Sequence, residues 1–205
     1  MVDPLGALAS GGAPILGRPL YAAELESFDK YLKLLQKWQR TQRLVGSADA
    51  GWIVEHLFLD SLLFLRVLPP DVASIADVGS GAGLPGIPIK IVNPGVRLAL
   101  IESRAKRSSF LSAAVRELDL RGADVVTARA EEYARDRGQT FDAVVMRCAG
   151  DFGALARAAQ GLVAPGGVIV ATGPPNPRSL DLGKWVEVPG VRPGSTRRFA
   201  VHRPA

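Results

Sequence analysis

The chain has 205 residues, of which 47% are hydrophobic and 22% charged, a composition that suits one globular domain with a small appendage. Its one cysteine, Cys148, excludes an intrachain disulfide. The two histidines, His56 and His202, lie far apart without a cysteine cluster near them, so no metal site is expected. The formal net charge of +5 is compatible with a nucleic-acid partner and equally with none.

The first 19 residues resemble a flexible or extended tail. They lack the basic start of a signal peptide, and Pro4, Gly11, Gly12 and Pro14 interrupt any apolar run. No stretch of the chain approaches the roughly 20 apolar residues needed to span a bilayer. We therefore expect a cytoplasmic protein that does not enter a membrane.

Residues 20–67 have the pattern of a small helical extension. A first helix is predicted from Leu20 to Trp38, and a second from Trp52 to Leu65, before two prolines. The apolar stripe of the first helix consists of Leu25, Phe28, Leu32, Leu35 and Trp38. Its opposite face carries Lys30, Lys33, Lys37 and Arg40. These cations fit a solvated face better than a surface that follows a phosphate backbone.

From residue 68 onward, short apolar runs alternate with helical stretches. The predicted strands are Ser74–Val78, Arg97–Glu102, Asp124–Thr127, Phe141–Arg147 and Gly167–Ala171. The segments between them are Gly86–Val92, Arg104–Leu118, a short turn near Glu131–Ala134, and Gly153–Leu162. This alternation predicts an α/β, Rossmann-like domain over 68–205, with a parallel sheet and helices on both faces. Two weaker runs, Lys184–Val188 and Arg198–His202, are expected to form an antiparallel edge.

A glycine-rich stretch, DVGSGAGLPGIPIKI at 77–91, follows the first predicted strand. In an open α/β sheet, ligands bind beyond the carboxyl ends of the strands, where the strand order reverses. Gly79, Gly81 and Gly83 permit positive φ and a close approach of backbone to ligand. Two ligands fit the loop. One is a dinucleotide, because Gly81, Gly83 and Gly86 also spell G-x-G-x-x-G, and the other is S-adenosylmethionine, which has no phosphate.

Asp77 discriminates between these two ligands. A carboxylate at the mouth of the loop repels a pyrophosphate and attracts the ammonium or sulfonium of S-adenosylmethionine. The alternative is that Asp77 is a capping or turn residue, although a buried carboxylate costs free energy unless it is partnered. The sequence therefore favours the methyl donor.

Positions after the second and third predicted strands extend this site. Glu102 can accept hydrogen bonds from both ribose hydroxyls of either ligand, and Ser103 is expected to cap the helix that begins at Arg104. The backbone of Ala130 and the side chain of Glu131 are placed to contact an adenine edge. Taken alone, a glutamate in a loop is more simply a solvated residue.

The motif DVGSGAGLPGIPIKIVNPG, followed by LIESRAKRSSFL, resembles the RsmG (GidB) family of bacterial small-subunit rRNA methyltransferases. EHLFLDSL is similar to the family's H-x-x-D-S segment, and ARAEEY and FDAVVMR fall at its third and fourth strand ends. The resemblance runs from about residue 20 to 171. It implies the class I S-adenosylmethionine-dependent methyltransferase fold, that cofactor, 7-methylguanine in 16S rRNA as product, and ribosomal RNA or the 30S subunit as partner. A monomer is expected.

The resemblance also implies roles for single residues. It implies contacts with S-adenosylmethionine at Gly79, Leu84, Ala130, Glu131 and Arg147. On the chemical argument, the predicted cofactor site also includes Asp77, Gly81, Gly83, Glu102 and Ser103. His56 and Asp60 are expected near the mouth of the pocket, as structural partners of one another.

Departures from the family pattern fall on the acceptor side. Gln39 and Arg43 stand where the family has asparagines, and Thr172 stands where it has a lysine. After Arg147 the family's aromatic residue is missing from its place, and Asp151 adds a negative charge. Two alternatives therefore stay open: a methyltransferase of the same fold with another RNA or a small-molecule acceptor, and a non-catalytic RNA-binding relative.

The proposed chemistry needs few protein groups. Guanine N7 has an in-plane lone pair and no proton, so a direct attack on the sulfonium methyl requires no general base. Arg147 is the predicted catalytic residue because arginine pairs with the O6/N7 edge of guanine, with a surface ion pair to Asp142 or Asp151 as the alternative. Cys148 is expected to pack. Candidate phosphate contacts, besides the basic helix face, are Arg104, Lys106, Arg107, Arg192, Arg197 and Arg198.

Overall fold

The fold begins with a helix close to the N-terminus. The computed structural model describes residues 3–138, 140–147, 152–173 and 179–204. Helix α1 spans Pro4–Leu16, directly after Asp3, whose side chain accepts a hydrogen bond from the Leu5 amide. Gly17 ends the helix in the left-handed conformation. The prediction of a flexible tail was therefore wrong for residues 4–16.

The glycines of α1 explain this error. Gly11 and Gly12 were interpreted as interruptions of an apolar run, but both lie close to side chains outside the helix. A Cβ atom at Gly11 would lie 2.6 Å from Leu59, and one at Gly12 would lie 2.4 Å from Leu20. Tertiary packing therefore outweighs the low helix propensity of glycine at these positions.

Two further helical stretches follow, as predicted. Helix α2 spans Ala22–Gln39, and most of its apolar stripe is buried. The second stretch, over 50–66, is continuous but changes its winding along its length. It consists of α3 (Ala50–Ile53), a π-helical turn (Val54–Leu59), α4 (Asp60–Leu62) and a 3-10 turn (Leu63–Arg66).

The sheet has seven strands in the order β3-β2-β1-β4-β5-β7-β6. The strands are β1 (Ser74–Val78), β2 (Arg97–Ile101), β3 (Ala123–Val126), β4 (Phe141–Met146), β5 (Val163–Thr172), β6 (Lys184–Pro189) and β7 (Thr196–His202). The first five are parallel, and β7 pairs antiparallel with both β5 and β6. The predicted strands and antiparallel edge are confirmed. The chain order reverses between β1 and β4, so a ligand crevice is expected at their carboxyl ends.

Four helices connect the parallel strands. They are α5 (Gly86–Val92), α6 (Ala105–Glu117), α7 (Ala130–Arg137) and α8 (Phe152–Ala159), the last continued by a 3-10 turn (Gln160–Leu162). The prediction of a short turn near Glu131–Ala134 was wrong, because an eight-residue helix lies there. The Glu132 side chain accepts a hydrogen bond from the Arg129 amide, and Gly138 with φ 67° ends the helix.

The two faces of the sheet carry separate cores. One core joins α1 to α6 with the sheet, and includes an edge-to-face contact between Phe64 and Phe199 at 4.8 Å between ring centroids. The other packs α7 and α8 against residues such as Val144 and Met146. The helices within 20–67 therefore share a core with the sheet. No helix in the described ranges combines the length and apolarity needed to cross a membrane.

Candidate functional site at the glycine loop

The glycine loop, residues 79–85, connects β1 to α5 and is held by its own backbone. The amides of Gly79 and Ser80 donate to the Ile101 carbonyl at the end of β2, at 2.9 and 3.1 Å. The amides of Gly83 and Leu84 donate to the Ser80 carbonyl, at 2.7 and 3.1 Å. The loop thus lies across the carboxyl ends of β1 and β2, beside the reversal of strand order.

Glycine is required within this loop for two reasons. Gly81 and Gly83 have φ values of 58° and 84°, in the left-handed region. In addition, a Cβ atom at Gly83 would lie 2.4 Å from Ile87 Cδ1 and 3.1 Å from the Tyr31 hydroxyl. The spacing of the glycines therefore reflects both backbone conformation and packing.

Tyr31 fixes the loop from the helical extension. This residue belongs to α2, and its side chain is fully buried. Its hydroxyl donates a hydrogen bond to the Ala82 carbonyl. Burial raises the pKa of the Tyr31 phenol well above its usual value, helped by the nearby charge of Asp77. Sequence reasoning missed this residue. The available signal was a tyrosine on the buried side of an amphipathic helix, where a hydroxyl needs a partner.

Asp77 lies at the end of β1 and is fully buried. Its Oδ2 accepts a hydrogen bond of 2.9 Å from the Gly86 amide, at the first residue of α5. Its Oδ1 is buried and has no partner among the described residues. The capping interpretation therefore accounts for one carboxylate oxygen, and the other oxygen is available for a ligand.

Burial controls the protonation of Asp77. Removal from water raises the pKa of its carboxyl to about 7, although the hydrogen bond from Gly86 and the charge of Arg147 act in the opposite direction. The neighbouring Glu102 adds to the increase. A cation placed beside Oδ1 would favour the ionised form.

Glu102 joins the end of β2 to the glycine loop. Its Oε2 accepts from the Gly81 amide at 3.0 Å, and its Oε1 accepts from the Arg104 amide at 2.9 Å. Arg107 Nη1 lies 3.9 Å from Oε2. A carboxylate has about four acceptor positions, so Glu102 keeps lone pairs for ribose hydroxyls.

The prediction that Ser103 caps the following helix was wrong. Helix α6 begins at Ala105, its cap residue is Arg104, and Ser103 is exposed. The physical reason is that Arg104 keeps an extended backbone, with φ −90° and ψ 111°, so the helix begins one residue later than predicted. The Glu102 carboxylate accepts from the Arg104 amide at this point. The same acid thus holds both the glycine loop and the start of α6.

Arg147 follows β4 and points back to the helical extension. Its Nη2 donates to the His56 carbonyl at 2.9 Å and lies 3.2 Å from Asp60 Oδ2. Its Nη1 is buried without a partner among the described residues. Burial lowers the pKa of the guanidinium, although the charge of Asp60 opposes this effect.

Of the two ion-pair partners predicted for this arginine, Asp142 is wrong and Asp151 stays untested. Asp142, one proposed partner, instead accepts hydrogen bonds from the Ala73 and Ser74 amides at 3.0 and 2.8 Å. The other proposed partner, Asp151, lies outside the described residues, as does Cys148.

Asp60 sits between two arginines. Besides its contact with Arg147, its Oδ1 lies 2.9 Å from Arg197 Nε on β7. His56 does not pair with it as predicted, because the His56 ring packs against Trp52 with 5.2 Å between ring centroids. Asp60 therefore neutralises an Arg147–Arg197 pair at the edge of the sheet.

The remaining predicted residues lie farther along the same edge. Leu84 is buried within the glycine loop. Ala130, also buried, and Glu131, which is exposed, form the start of α7 after β3. No hydrogen bond within the described ranges joins Ala130 or Glu131 to the glycine loop. The structure thus assembles the loop with Asp77 and Glu102, and places the predicted adenine contacts beyond β2.

Comparison with known proteins identifies the family of this chain. A family model described as GidB, rRNA small subunit methyltransferase G, matches residues 24–173. The ribosomal RNA small subunit methyltransferase G of Roseiflexus sp. (strain RS-1) is 38% identical over 142 residues, which cover 68% of this chain and 61% of that protein. The aligned chain therefore spans less than two thirds of that relative.

A second relative and one solved structure extend the comparison. The ribosomal RNA small subunit methyltransferase G of Alkalilimnicola ehrlichii is 36% identical over 169 residues, covering 82% of this chain and 75% of that protein. YhhF of Escherichia coli, named provisionally as a methyltransferase, superimposes with a TM-score of 0.52 at 17% identity, covering 71% of this chain and 86% of that one. This likeness shows the Rossmann-like fold of class I methyltransferases. The family match and the sequence identities together show that the chain belongs to the GidB family, rRNA small subunit methyltransferase G.

Proposed function

We propose that the protein is an S-adenosylmethionine-dependent methyltransferase that modifies N7 of a guanine in 16S rRNA. The observation that carries this proposal is the unpartnered oxygen of Asp77, which is buried beside the glycine loop. A buried acceptor without a partner is costly, and a ligand ammonium satisfies it. A pyrophosphate placed there would meet the same carboxylate as a repulsive charge.

The described residues fit each part of the proposed cofactor. Asp77 Oδ1 receives the methionine ammonium, and the loop backbone at Gly79, Gly81, Gly83 and Leu84 lies along the chain of the ligand. Glu102 accepts the ribose hydroxyls with the lone pairs that its backbone hydrogen bonds leave free. The adenine contacts are assigned to Ala130 and Glu131 at the start of α7. Ser103 is assigned to the exposed edge of the cofactor site.

Arg147 is the proposed contact with the acceptor base. When bound, S-adenosylmethionine supplies an electrophilic methyl group on a sulfonium. The buried Nη1 of Arg147 is a donor without a partner among the described residues, and it can bind the O6/N7 edge of guanine. The bond from Nη2 to the His56 carbonyl and the charge of Asp60 fix the plane of the guanidinium. This positioning, and not a general base, is the proposed source of catalysis.

The helices within 20–67 are proposed to shape the cofactor site and not to form an independent binding module. Tyr31 holds the Ala82 carbonyl, and Asp60 holds Arg147, so the extension contacts both the donor side and the acceptor side. Residues 68–205 would then form the methyltransferase domain proper. The proposed partner is the small ribosomal subunit, which places the protein in the cytoplasm, where a monomer would suffice.

Titration calorimetry and a transfer assay test the proposal. We expect S-adenosylmethionine to bind with micromolar-scale affinity and NADH to give no heat. Incubation with 30S subunits and methyl-labelled donor should place the label on a guanine of 16S rRNA. Asp77→Asn keeps the shape of the side chain and an acceptor for Gly86. Loss of affinity for S-adenosylmethionine in that variant therefore reports the loss of the charged acceptor at the position of Oδ1.

Three results would refute parts of this proposal. Heat with NADH and none with the methyl donor would assign the loop to a dinucleotide. Label found in a small molecule or another RNA would keep the fold and the donor and replace the acceptor. RNA binding unchanged by Asp77→Asn, together with no transfer in the wild type, would indicate a non-catalytic relative.

A further inference from the structure

A cleft opens between the segment after α2 and the start of α6. Its volume is about 410 Å³, and four cationic side chains line it: Arg43 from the first segment, and Arg104, Lys106 and Arg107 from the second. Arg104 is the cap residue of α6, and the other two belong to its first turn. Two chain segments that are distant in sequence thus place like charges around one opening.

Most of the charges in the cleft lack acidic partners, whereas several other basic residues of the chain are paired. Lys30 and Lys33 on α2 pair with Glu26 and Asp29, at 2.7 and 2.5 Å. Arg192, Arg197 and Arg198, predicted as phosphate contacts, pair with Glu55, Asp60 and Glu187.

Within the cleft, by contrast, Arg43, Arg104 and Lys106 form no ion pair with any described residue. Arg107 has one acid nearby, Glu102 at 3.9 Å, which already accepts two backbone hydrogen bonds. The cleft therefore carries most of its positive charge uncompensated.

The position of these charges on the helix is also unfavourable without an anion. The amino end of a helix carries partial positive charge, and acidic residues are the stabilising choice there. The first turn of α6 contains no acidic residue. Cations at this end repel both the helix dipole and one another, so an anion bound in the cleft would remove an existing repulsion.

The cleft adjoins the proposed cofactor site. Arg107 Nη1 would lie 3.6 Å from a Cβ atom at Gly81, so the same side chain faces the glycine loop and the cleft. The other wall is fixed as well, because Gln39 accepts from the Leu44 and Val45 amides at 2.8 and 3.0 Å. Gln39, one of the departures from the family pattern, therefore orders the segment that carries Arg43.

We propose that this cleft binds backbone phosphates of the RNA that flank the target nucleotide. The inference rests on the proposed function for its choice of RNA. Guanidinium groups bind phosphate oxygens in a bidentate manner, and three arginines with one lysine around one opening match a run of phosphates better than a single small anion. The cleft would thus hold the strand beside the loop that binds the methyl donor.

Salt-dependent RNA binding tests this assignment. The full chain and the variant Arg43→Gln/Arg104→Gln/Lys106→Gln are titrated with fluorescently labelled 16S rRNA between 50 and 200 mM KCl. Each lost phosphate contact should reduce the magnitude of the slope of log K against log salt by about 0.7 to 0.9, so the triple variant should lose roughly 2 to 3. Its affinity at 150 mM KCl should fall at least about tenfold.

A matched control removes three charges elsewhere. Arg116 lies in the last turn of α6, Arg121 lies in the turn after that helix, Lys184 lies on β6, and all three are exposed. The variant Arg116→Gln/Arg121→Gln/Lys184→Gln should keep at least half of the wild-type affinity and nearly the full salt slope. Equal losses in the two triple variants would show a general charge effect and overturn the proposal.

Two further readouts separate this proposal from the proposed function. Affinity for S-adenosylmethionine, measured by calorimetry, should stay within about twofold in the cleft variant, because none of its three substitutions touches the proposed donor contacts. If the wild type binds no methyl donor, the function fails, and the salt slopes still decide the cleft. Unchanged RNA affinity in the cleft variant, with loss of binding to phosphatidylserine vesicles, would assign the cleft to a lipid surface and refute an RNA site.

Discussion

The glycine loop and the arginine rim lie along one edge of the sheet but are held by different forces. The loop depends on backbone amides, one phenol and two buried carboxylates. The rim, defined here as Asp60, Arg147 and Arg197, depends on charged side chains that are only partly buried. We infer that the glycine loop is preorganised and rigid, and that the rim can rearrange when a ligand binds.

The largest effect of a single substitution on stability is expected at Gly83, which tests directly whether the glycine loop is rigid. In Gly83→Ala the new methyl group meets Ile87 Cδ1 at 2.4 Å, on a residue with φ 84°. Strain and overpacking together should lower the free energy of unfolding by roughly 2 to 4 kcal/mol. Urea denaturation measures this loss of stability, and the affinity for S-adenosylmethionine should fall with it.

Gly95→Ala is the matched control. A Cβ atom at Gly95 has no neighbour within 4 Å, so the same substitution should change stability by less than about 0.5 kcal/mol. If Gly83→Ala were as stable as this control, the loop would be less constrained than its contacts indicate.

The second effect is a pH dependence at Asp77. Burial raises the pKa of its carboxyl from 3.8 to about 7 in the folded protein, so between those values the folded state holds a proton that the unfolded state has lost. Stability should therefore fall as pH rises from about 4 to about 7, by up to about 1.4 kcal/mol per pH unit from this group. Thermal unfolding of Asp77→Asn should lack this component.

Donor binding should show the reverse trend. An ammonium beside Oδ1 favours ionised Asp77, so affinity for S-adenosylmethionine should rise as pH increases from 5 to 7, at most tenfold per pH unit. Parallel pH curves for the wild type and Asp77→Asn, in both stability and affinity, would show that this carboxylate is neither perturbed nor in contact with the donor.

The third effect, at Tyr31, tests whether the helical extension holds the loop. Tyr31→Phe removes the donor for the Ala82 carbonyl and leaves a buried acceptor unpaired, which should cost about 1 to 3 kcal/mol of unfolding free energy. Tyr133→Phe is the control, because the Tyr133 hydroxyl makes no hydrogen bond with the described residues. A larger loss of affinity for S-adenosylmethionine in Tyr31→Phe than in Tyr133→Phe would show that α2 shapes the cofactor site.

The two regions also differ in how well they could be predicted from sequence. Asp77 and the alternate glycines are close in sequence, and their geometry follows from local backbone requirements, so the loop was predictable. The rim joins Asp60 to Arg197 across 137 positions, and no local pattern specifies that pair. The same limit explains Tyr31, whose partner lies 51 residues away, and α1, whose glycines are explained only by Leu20 and Leu59.

The smallest effects on stability are expected for two ion pairs at or near the rim, one exposed and one half-buried. Arg192 pairs with Glu55 while 68% of its side chain is exposed, whereas Arg197 is 26% exposed and pairs with Asp60, itself 13% exposed. Solvent screening should keep the loss of unfolding free energy in Arg192→Gln small. Arg197→Gln should cost more, roughly 1 to 2 kcal/mol, because Asp60 loses one of its two arginines in a less hydrated site. Equal costs in urea denaturation would mean that the rim is as well solvated as the outer surface, and that the contrast with the glycine loop is even sharper.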